Sequence, residues 1–346
     1  MYAATLMKGI CAGLTLTFVF ASAAILRAQQ AAPAEGTQPL VLTGAISLPG
    51  VQGRIDHLST DQKGRLFVSA LGNNTEEVAD LSSGTRVHSI NGVPRPQGVV
   101  YAPELNELFV GSDEGKLYIY NGTTLDLITS IDFGDDVDNL RYDATGKLVY
   151  VGYGAEDGAI AMVDATTNQR LKEEFKLGAH PESFQLEESG PNLYVNLPDL
   201  KQIAAINRST HAITRWPVTL DSNFPMALDE SHRRVFVATR EPARLAVFDT
   251  NSGRMIAALP CVQNSDDLFY DSARKRIYVA GGEGYVSVFQ QKDSDHYQLL
   301  AKIPSAIGAR TAGYFGKGRK GFDVFYVAVP ARADHTAEVL IYTVQN

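Results

Sequence analysis

An apolar triplet with an aromatic residue at its centre returns seven times along the chain: LFV at Leu66, LFV at Leu108, VYV at Val149, LYV at Leu193, VFV at Val235, IYV at Ile277 and FYV at Phe325. The central residues are Phe67, Phe109, Tyr150, Tyr194, Phe236, Tyr278 and Tyr326, so the steps are 42, 41, 44, 42, 42 and 48 residues. The clearest copy, SDDLFYDSARKRIYVAGGEGYVSVFQ, starts at Ser265. Leu268 to Tyr270, Ile277 to Ala280 and Tyr285 to Phe289 read as strands because apolar, β-branched and aromatic residues are bounded by the polar turn SARKR and the glycine hairpin GGEG. A fourth strand, Gln298 to Ile303, follows the turn KDSDH. A period of about 40 to 50 residues with four short strands per unit predicts an all-β chain, a seven-bladed β-propeller of four-stranded antiparallel blades. A β-sandwich of hairpins is the alternative, but it supplies no reason for one motif to return seven times.

The two ends of the repeat array are incomplete in complementary ways. Leu40 to Leu48 resembles the fourth strands RVHSI, DLITSI, RMIAAL and QLLAKI, yet no other strands of a blade precede it. The last copy supplies Thr311 to Phe315, Val324 to Val329 and Glu338 to Val344, and then the chain ends. An N-terminal strand completing the C-terminal blade would close the ring and remove an open sheet edge.

Residues 1–28 place Lys8 before the apolar run Ile10 to Leu26 and end on Ala28, with Ala23 as an earlier cleavage position, which reads as a secretory signal peptide. Residues 29–37, QQAAPAEGT, read as a flexible lead-in, and 38–346 as the propeller domain. The expected location is therefore periplasmic or extracellular, with no membrane span once the signal is removed. Loss of the signal also removes Cys11, leaving Cys261 as a lone cysteine that follows an apolar strand and reads as a packed residue. The formal charge of −8 becomes −10 without Lys8 and Arg27, which argues against a nucleic-acid or anionic-membrane surface. The basic run Lys317, Gly318, Arg319, Lys320 reads as a solvated turn.

Strings such as RLFVSALGNNTEEVADLSSGTRVHSI and RIYVAGGEGYVSVF resemble the YVTN-repeat, or YncE-like, secreted β-propellers across Leu40 to Val344. PQG at Pro96, HPESFQLE at His180, NFPMALDE at Asn223, DDLFYD at Asp266 and GART at Gly308 are similar to a bacterial secreted subgroup of that family. The resemblance implies a seven-bladed extracytoplasmic propeller and no particular reaction. With Trp216 as the single tryptophan, the Trp-Asp ending of WD repeats and the tryptophan docking of quinoprotein propellers are missing, and there is no Cys-x-x-Cys-His haem motif.

In a four-stranded blade, the entry into the first strand and the hairpin between the second and third strands lie on one side of the ring. The opposite turns, DQKG, DATG, DSARK, SSG, ATTN and TNSG, are ordinary turn chemistry. The entry side carries Asp56 and His57, Gln97, Asp138 and Asn139, His180 and Glu182, Asn223, Asp266 and Asp267, and Arg310, while its hairpins add Asn73, Asn74, Arg240 and Glu283. Since first strands line the channel, these groups are expected to crowd its mouth and bind a small molecule or a protein there. Several carboxylates converging without compensation would repel, so a divalent cation such as Ca²⁺ held by Asp56, Asn139, Glu182 and Asp266 is one expectation. Asp56 and His57 beside Asp266 and Asp267 acting as base and orienting acid is another, which makes a metal-dependent hydrolase or lyase of the gluconolactonase or streptogramin-lyase type the rival to a binding module. In a third reading these groups solvate the channel end and hydrogen-bond the neighbouring blade's backbone, and His180 before Pro181 suits a strand-entry cap as well as a ligand.

Overall fold

In a strand, successive side chains face opposite sides, so the flanking residues of each triplet and its central aromatic must serve two different interfaces. The computed structural model describes residues 38–346 except 62 and 317–322, so the segments expected to be a signal peptide and a lead-in, and the basic run Lys317 to Lys320, lie outside the described residues. Phe67 shares a core cluster with Leu108 and Val110 of the next repeat, Phe109 with Val149 and Val151, and Tyr150 with Leu193 and Val195. The pattern continues through Tyr194 with Val235 and Val237, Phe236 with Ile277 and Val279, and Tyr278 with Phe325 and Val327. Tyr326 then packs against Leu66 and Val68, which closes the circle. All seven aromatics are 4% exposed or less, and burial of each contributes roughly 1.5–3 kcal/mol.

Seven four-stranded antiparallel sheets form the blades, six of them from consecutive strands. The seventh has the order Leu40–Ser47, Glu338–Val344, Val324–Val329, Ala312–Phe315, as the incomplete ends of the repeat array predict. Leu40 pairs with Val344 and Ser47 with Glu338, with one bulge between Leu42 and Gly44. Leu40 and Ile46 point inward at 1% and 0% exposure, into clusters on the two opposite faces of this blade. The clearest repeat forms Ser265–Asp271, Arg276–Gly281, Glu283–Gln291 and Tyr297–Ile307, each longer than its apolar core suggests because polar residues at the strand ends also pair. The first strands contact one another in sequence around the ring and back, so they line the central channel. No helix among the described residues is long and apolar enough to cross a membrane.

Candidate functional site at the channel mouth

The backbone turns the site residues toward the channel by interrupting the first strands. In blades 2, 3, 5 and 6 the ladder between first and second strands shifts register between Pro96 and Val99, Val137 and Leu140, Asn223 and Met226, and Ser265 and Asp267. Such bulges re-aim side chains, and these carry Gln97, Asp138 with Asn139, Phe224 and Asp266. In blades 1 and 4 the first strands are only Leu58–Thr60 and Phe184–Leu186, leaving Asp56, His57 and Glu182 ahead of them. Hairpin and entry loop are tied on the same face by recurring backbone bonds: Gly72 to Arg54 (2.8 Å), Asp113 to Arg95 (3.1 Å), Gly154 to Asp136 (2.8 Å) and Gly282 to Asn264 (3.0 Å). Gly98 is required by its neighbour, since a Cβ there would lie 1.9 Å from the Asp138 carbonyl oxygen.

A cavity of about 310 Å³ opens at this mouth, and its charges are segregated. On one side Asp266 is met by three guanidinium groups. Arg240 Nη2 donates to its Oδ1 at 2.5 Å, Arg310 Nε lies 2.7 Å from Oδ2, and Arg54 Nη2 lies 3.8 Å from Oδ2. Oδ2 receives no well-aligned hydrogen bond from either neighbour. The Arg240 guanidinium also lies 3.5 Å over the Phe224 ring, and burial holds its pKa below the ordinary arginine value against the pull of Asp266. Arg54 is shared with Asp56 at 2.9 Å. The other side holds Asp136, Asp138 and Glu182 around His180. Gln97 donates to Asp136 at 2.6 Å.

Below this layer the acids and imidazoles alternate. His180 Nε2 is 3.4 Å from Asp138, Asp138 is 3.9 Å from His57 Nε2, and His57 Nδ1 is 3.3 Å from Asp267. Burial alone would lower both imidazoles. For His57 the charge and hydrogen bond of Asp267 outweigh it, and for His180 those of Asp138 do, lifting each to about 10. Asp138 is held below the usual carboxylate range because the two imidazoles overcome its burial. Burial first, then neighbouring acids, lifts Glu182 to about 8 and Asp136 to about 7, while burial raises Asp56 to about 6 against the opposing charges of His57 and Arg54. Both imidazoles therefore favour the cationic form at neutral pH, and the ionised form of Glu182 is disfavoured there.

Eight of the expected residues meet at the mouth: Asp56, Gln97, Asp138, His180, Glu182, Arg240, Asp266 and Arg310. His57, Asn139 and Asp267 face a second cavity deeper in the channel. Four do not join either. Asn73 accepts the Gln52 N–H and donates to Thr75, Asn74 adopts φ 57° at the end of its hairpin and accepts the Arg95 N–H, Glu283 pairs with Lys302 at 2.7 Å, and Asn223 is fully buried, donating to Asn196 and to the Gln202 carbonyl. The bulge in blade 5 presents Phe224, not Asn223, to the mouth. Arg54, Arg95, Asp113, Asp136 and Phe224 line the cavity without having been expected there. Crowded carboxylates imply counter-charge, and arginines two residues ahead of Asp56 and Gln97 were the available signal.

The cation set Asp56, Asn139, Glu182 and Asp266 is not the set that converges. Asp56 and Asp266 are engaged by arginines, and Asn139 Oδ1 lies 3.3 Å from Arg141 Nη1. Among the described residues, Asp138, His180 and Glu182 are the group whose donor atoms lie within 4.8 Å of one another. One imidazole and two carboxylates suit a borderline N/O-ligated metal better than Ca²⁺, which takes six to eight oxygens. Arg54, Arg240 and Arg310 in the same cavity weigh against a further cation.

No family model matches the sequence, and no curated protein matches it. Among solved structures, a chain of the mitotic checkpoint complex superposes with a TM-score of 0.74 at 13% identity, covering 96% of this chain and 99% of that one. U3-55K gives 0.72 at 12% identity over 85% of this chain and 97% of that one, and the WD40 repeats of RRP9 give 0.73 at 12% over 87% and 100%. At these identities the likeness is one of fold alone.

Proposed function

We propose that this chain is an exported propeller of the YVTN-repeat kind that binds a ligand or protein partner at the channel mouth. The observation that carries the reading is the segregation of charge around the 310 Å³ cavity, with the Arg54, Arg240 and Arg310 guanidinium groups on one side and Asp136, Asp138 and Glu182 on the other. The three guanidinium groups face two carboxylates, Asp56 and Asp266, whereas the cationic His180 offsets the acids opposite, so the cavity matches a guest with an anionic group toward the arginines and a neutral hydrogen-bonding group toward the acids, such as a hydroxy acid or a peptide carboxylate. The repeated aromatic triplet supports the family reading, and the apolar N-terminal segment supports export. The test is a melting screen of the mature protein against hydroxy acids, peptides with a free carboxylate and the matched amines. A rise with the carboxylates that is lost in Arg310→Gln is expected. No rise, or an equal rise with the amines, would refute it. Mass spectrometry of the secreted N-terminus checks export, and an uncleaved cytoplasmic product would refute that part.

A second reading, a divalent-metal-dependent hydrolase or lyase, is favoured by the convergence of Asp138, His180 and Glu182. These three would hold the ion, which would supply Lewis acidity at a substrate oxygen. Elemental analysis with a chelator-dependent melting shift separates the readings: bound metal and a shift support the enzyme, and neither supports the binding module.

A further inference from the structure

A second cavity of about 560 Å³ lies in the same channel and shares no lining residue with the mouth. Its lining includes Asp271 at the end of a first strand and Ser272 and Ala273 in the turn that leads to the second, so it opens toward the face opposite the mouth. The inner end is polar, with His57, Asn139, Arg141 and Asp267, and the walls toward the opening are mixed, with Leu228, Phe269 and Phe315 forming an apolar strip beside Gln185, Glu188 and Asp271. Two of the inner charges are already matched, because His57 Nδ1 sits 3.3 Å from Asp267 and the other Asp267 oxygen accepts the Ala312 N–H at 2.8 Å.

Arg141 is not matched. Its Nη1 donates to the Leu140 carbonyl at 2.8 Å and reaches Asn139 Oδ1 at 3.3 Å, and its guanidinium carbon lies 5.3 Å from the Phe184 ring centre. No carboxylate among the described residues lies within ion-pair distance of it, and Nε and Nη2 have no hydrogen-bond acceptor there. Burial lowers its pKa despite the more distant charges of Asp267 and Asp138. A guanidinium packed on an aromatic ring, anchored through one nitrogen and with Nε and Nη2 left as donors on the channel wall, has the fork geometry that receives a carboxylate.

We propose that the inner cavity is a separate site for a small monocarboxylate with an apolar body, its carboxylate on Arg141 Nε and Nη2 and its body against Leu228, Phe269 and Phe315. The proposal does not depend on what the mouth binds. Arg141 selects a carboxylate, Leu228, Phe269 and Phe315 favour an aromatic or branched aliphatic body, and Glu188 and Asp271 toward the opening disfavour a second carboxylate.

The probe is benzoate, with benzylamine and acetate as controls, measured by calorimetry on the mature protein. Benzoate binding that weakens at least about tenfold in Arg141→Gln, and less in Arg141→Lys, is expected from loss of the charge-assisted pair. Benzylamine binding as well as benzoate, or benzoate binding unchanged in Arg141→Gln, would overturn the proposal. If the variants do not fold, crystals of the wild type soaked with 4-bromobenzoate decide: bromine signal between Phe269 and Phe315 supports the site, and signal at the mouth, on the surface or nowhere overturns it.

Discussion

Asp138 stands between two imidazoles, its Oδ1 3.9 Å from His57 Nε2 and its Oδ2 3.4 Å from His180 Nε2. One carboxylate thus holds two cations that come from different blades, His57 ahead of the first and His180 ahead of the fourth. Removing it leaves both imidazoles buried with less counter-charge. Asp138→Asn is expected to cost about 3 kcal/mol in urea unfolding at neutral pH, the range found when one partner of a buried pair is deleted. A loss below about 0.5 kcal/mol would show that the imidazoles are held by Asp267 and Glu182 alone.

Two neighbouring carboxyls at the mouth should respond in opposite directions. Asp266 compensates three guanidinium groups, so Asp266→Asn should destabilise by about 2 kcal/mol. Glu182 is pushed to about 8 by burial, Asp138 and Asp266, so its ionised form is already disfavoured at neutral pH. Glu182→Gln should therefore leave the melting temperature at pH 7 unchanged or raised. Equal losses in both variants would mean that Glu182 is ionised and structurally paired.

Ring closure rests on one strand whose faces differ. Ile46 is fully buried against Tyr326 and Leu66, whereas Leu42 in the same strand is 55% exposed. Ile46→Ala should cost about 2–5 kcal/mol and Leu42→Ala less than about 0.5. Matching small effects would show that the last blade is stable without its N-terminal strand.

The blades were legible because each must present an aromatic to its successor, and that demand repeats with the ring. The acids of the mouth were legible for the same reason, since Asp56 and Glu182 occupy equivalent entries marked by the bonds Asp56 to Ser69 and Glu182 to Asn196. Their counter-charges were not, because they enter from unlike positions. Arg54 precedes Asp56 by two, Arg240 ends a second strand, and Arg310 takes the place in blade 7 that Asp56 takes in blade 1, as the Ala328 to Thr311 and Ser69 to His57 bonds show. Bulges also defeat simple alternation, which is why Asn223 turned into the protein and Phe224 toward the mouth. Arg141 gives no sign in the sequence, since an arginine in a strand reads as solvated until its place on the channel wall is known.

Away from the channel, Glu76 supplies a test of pH dependence. It is fully buried in blade 1, its Oε2 accepts the Ser69 hydroxyl at 2.8 Å, and its Oε1 has no partner among the described residues. Burial, with a smaller push from Glu77, raises its pKa well above the ordinary 4.5 against the Ser69 hydrogen bond. The folded state therefore binds a proton that the unfolded chain releases above about pH 4.5, and the stability this proton contributes is fully present below that pH. It is lost as pH rises toward the folded pKa, because either the buried carboxyl ionises or the proton must be taken from a scarcer supply. Glu76→Gln keeps the acceptor for Ser69 and removes the titration. Urea midpoints of the two proteins should nearly coincide at pH 5 and separate progressively toward pH 8, with the variant the more stable. A constant difference across that range would mean that Glu76 is ionised in the folded protein and that a partner stabilises its charge.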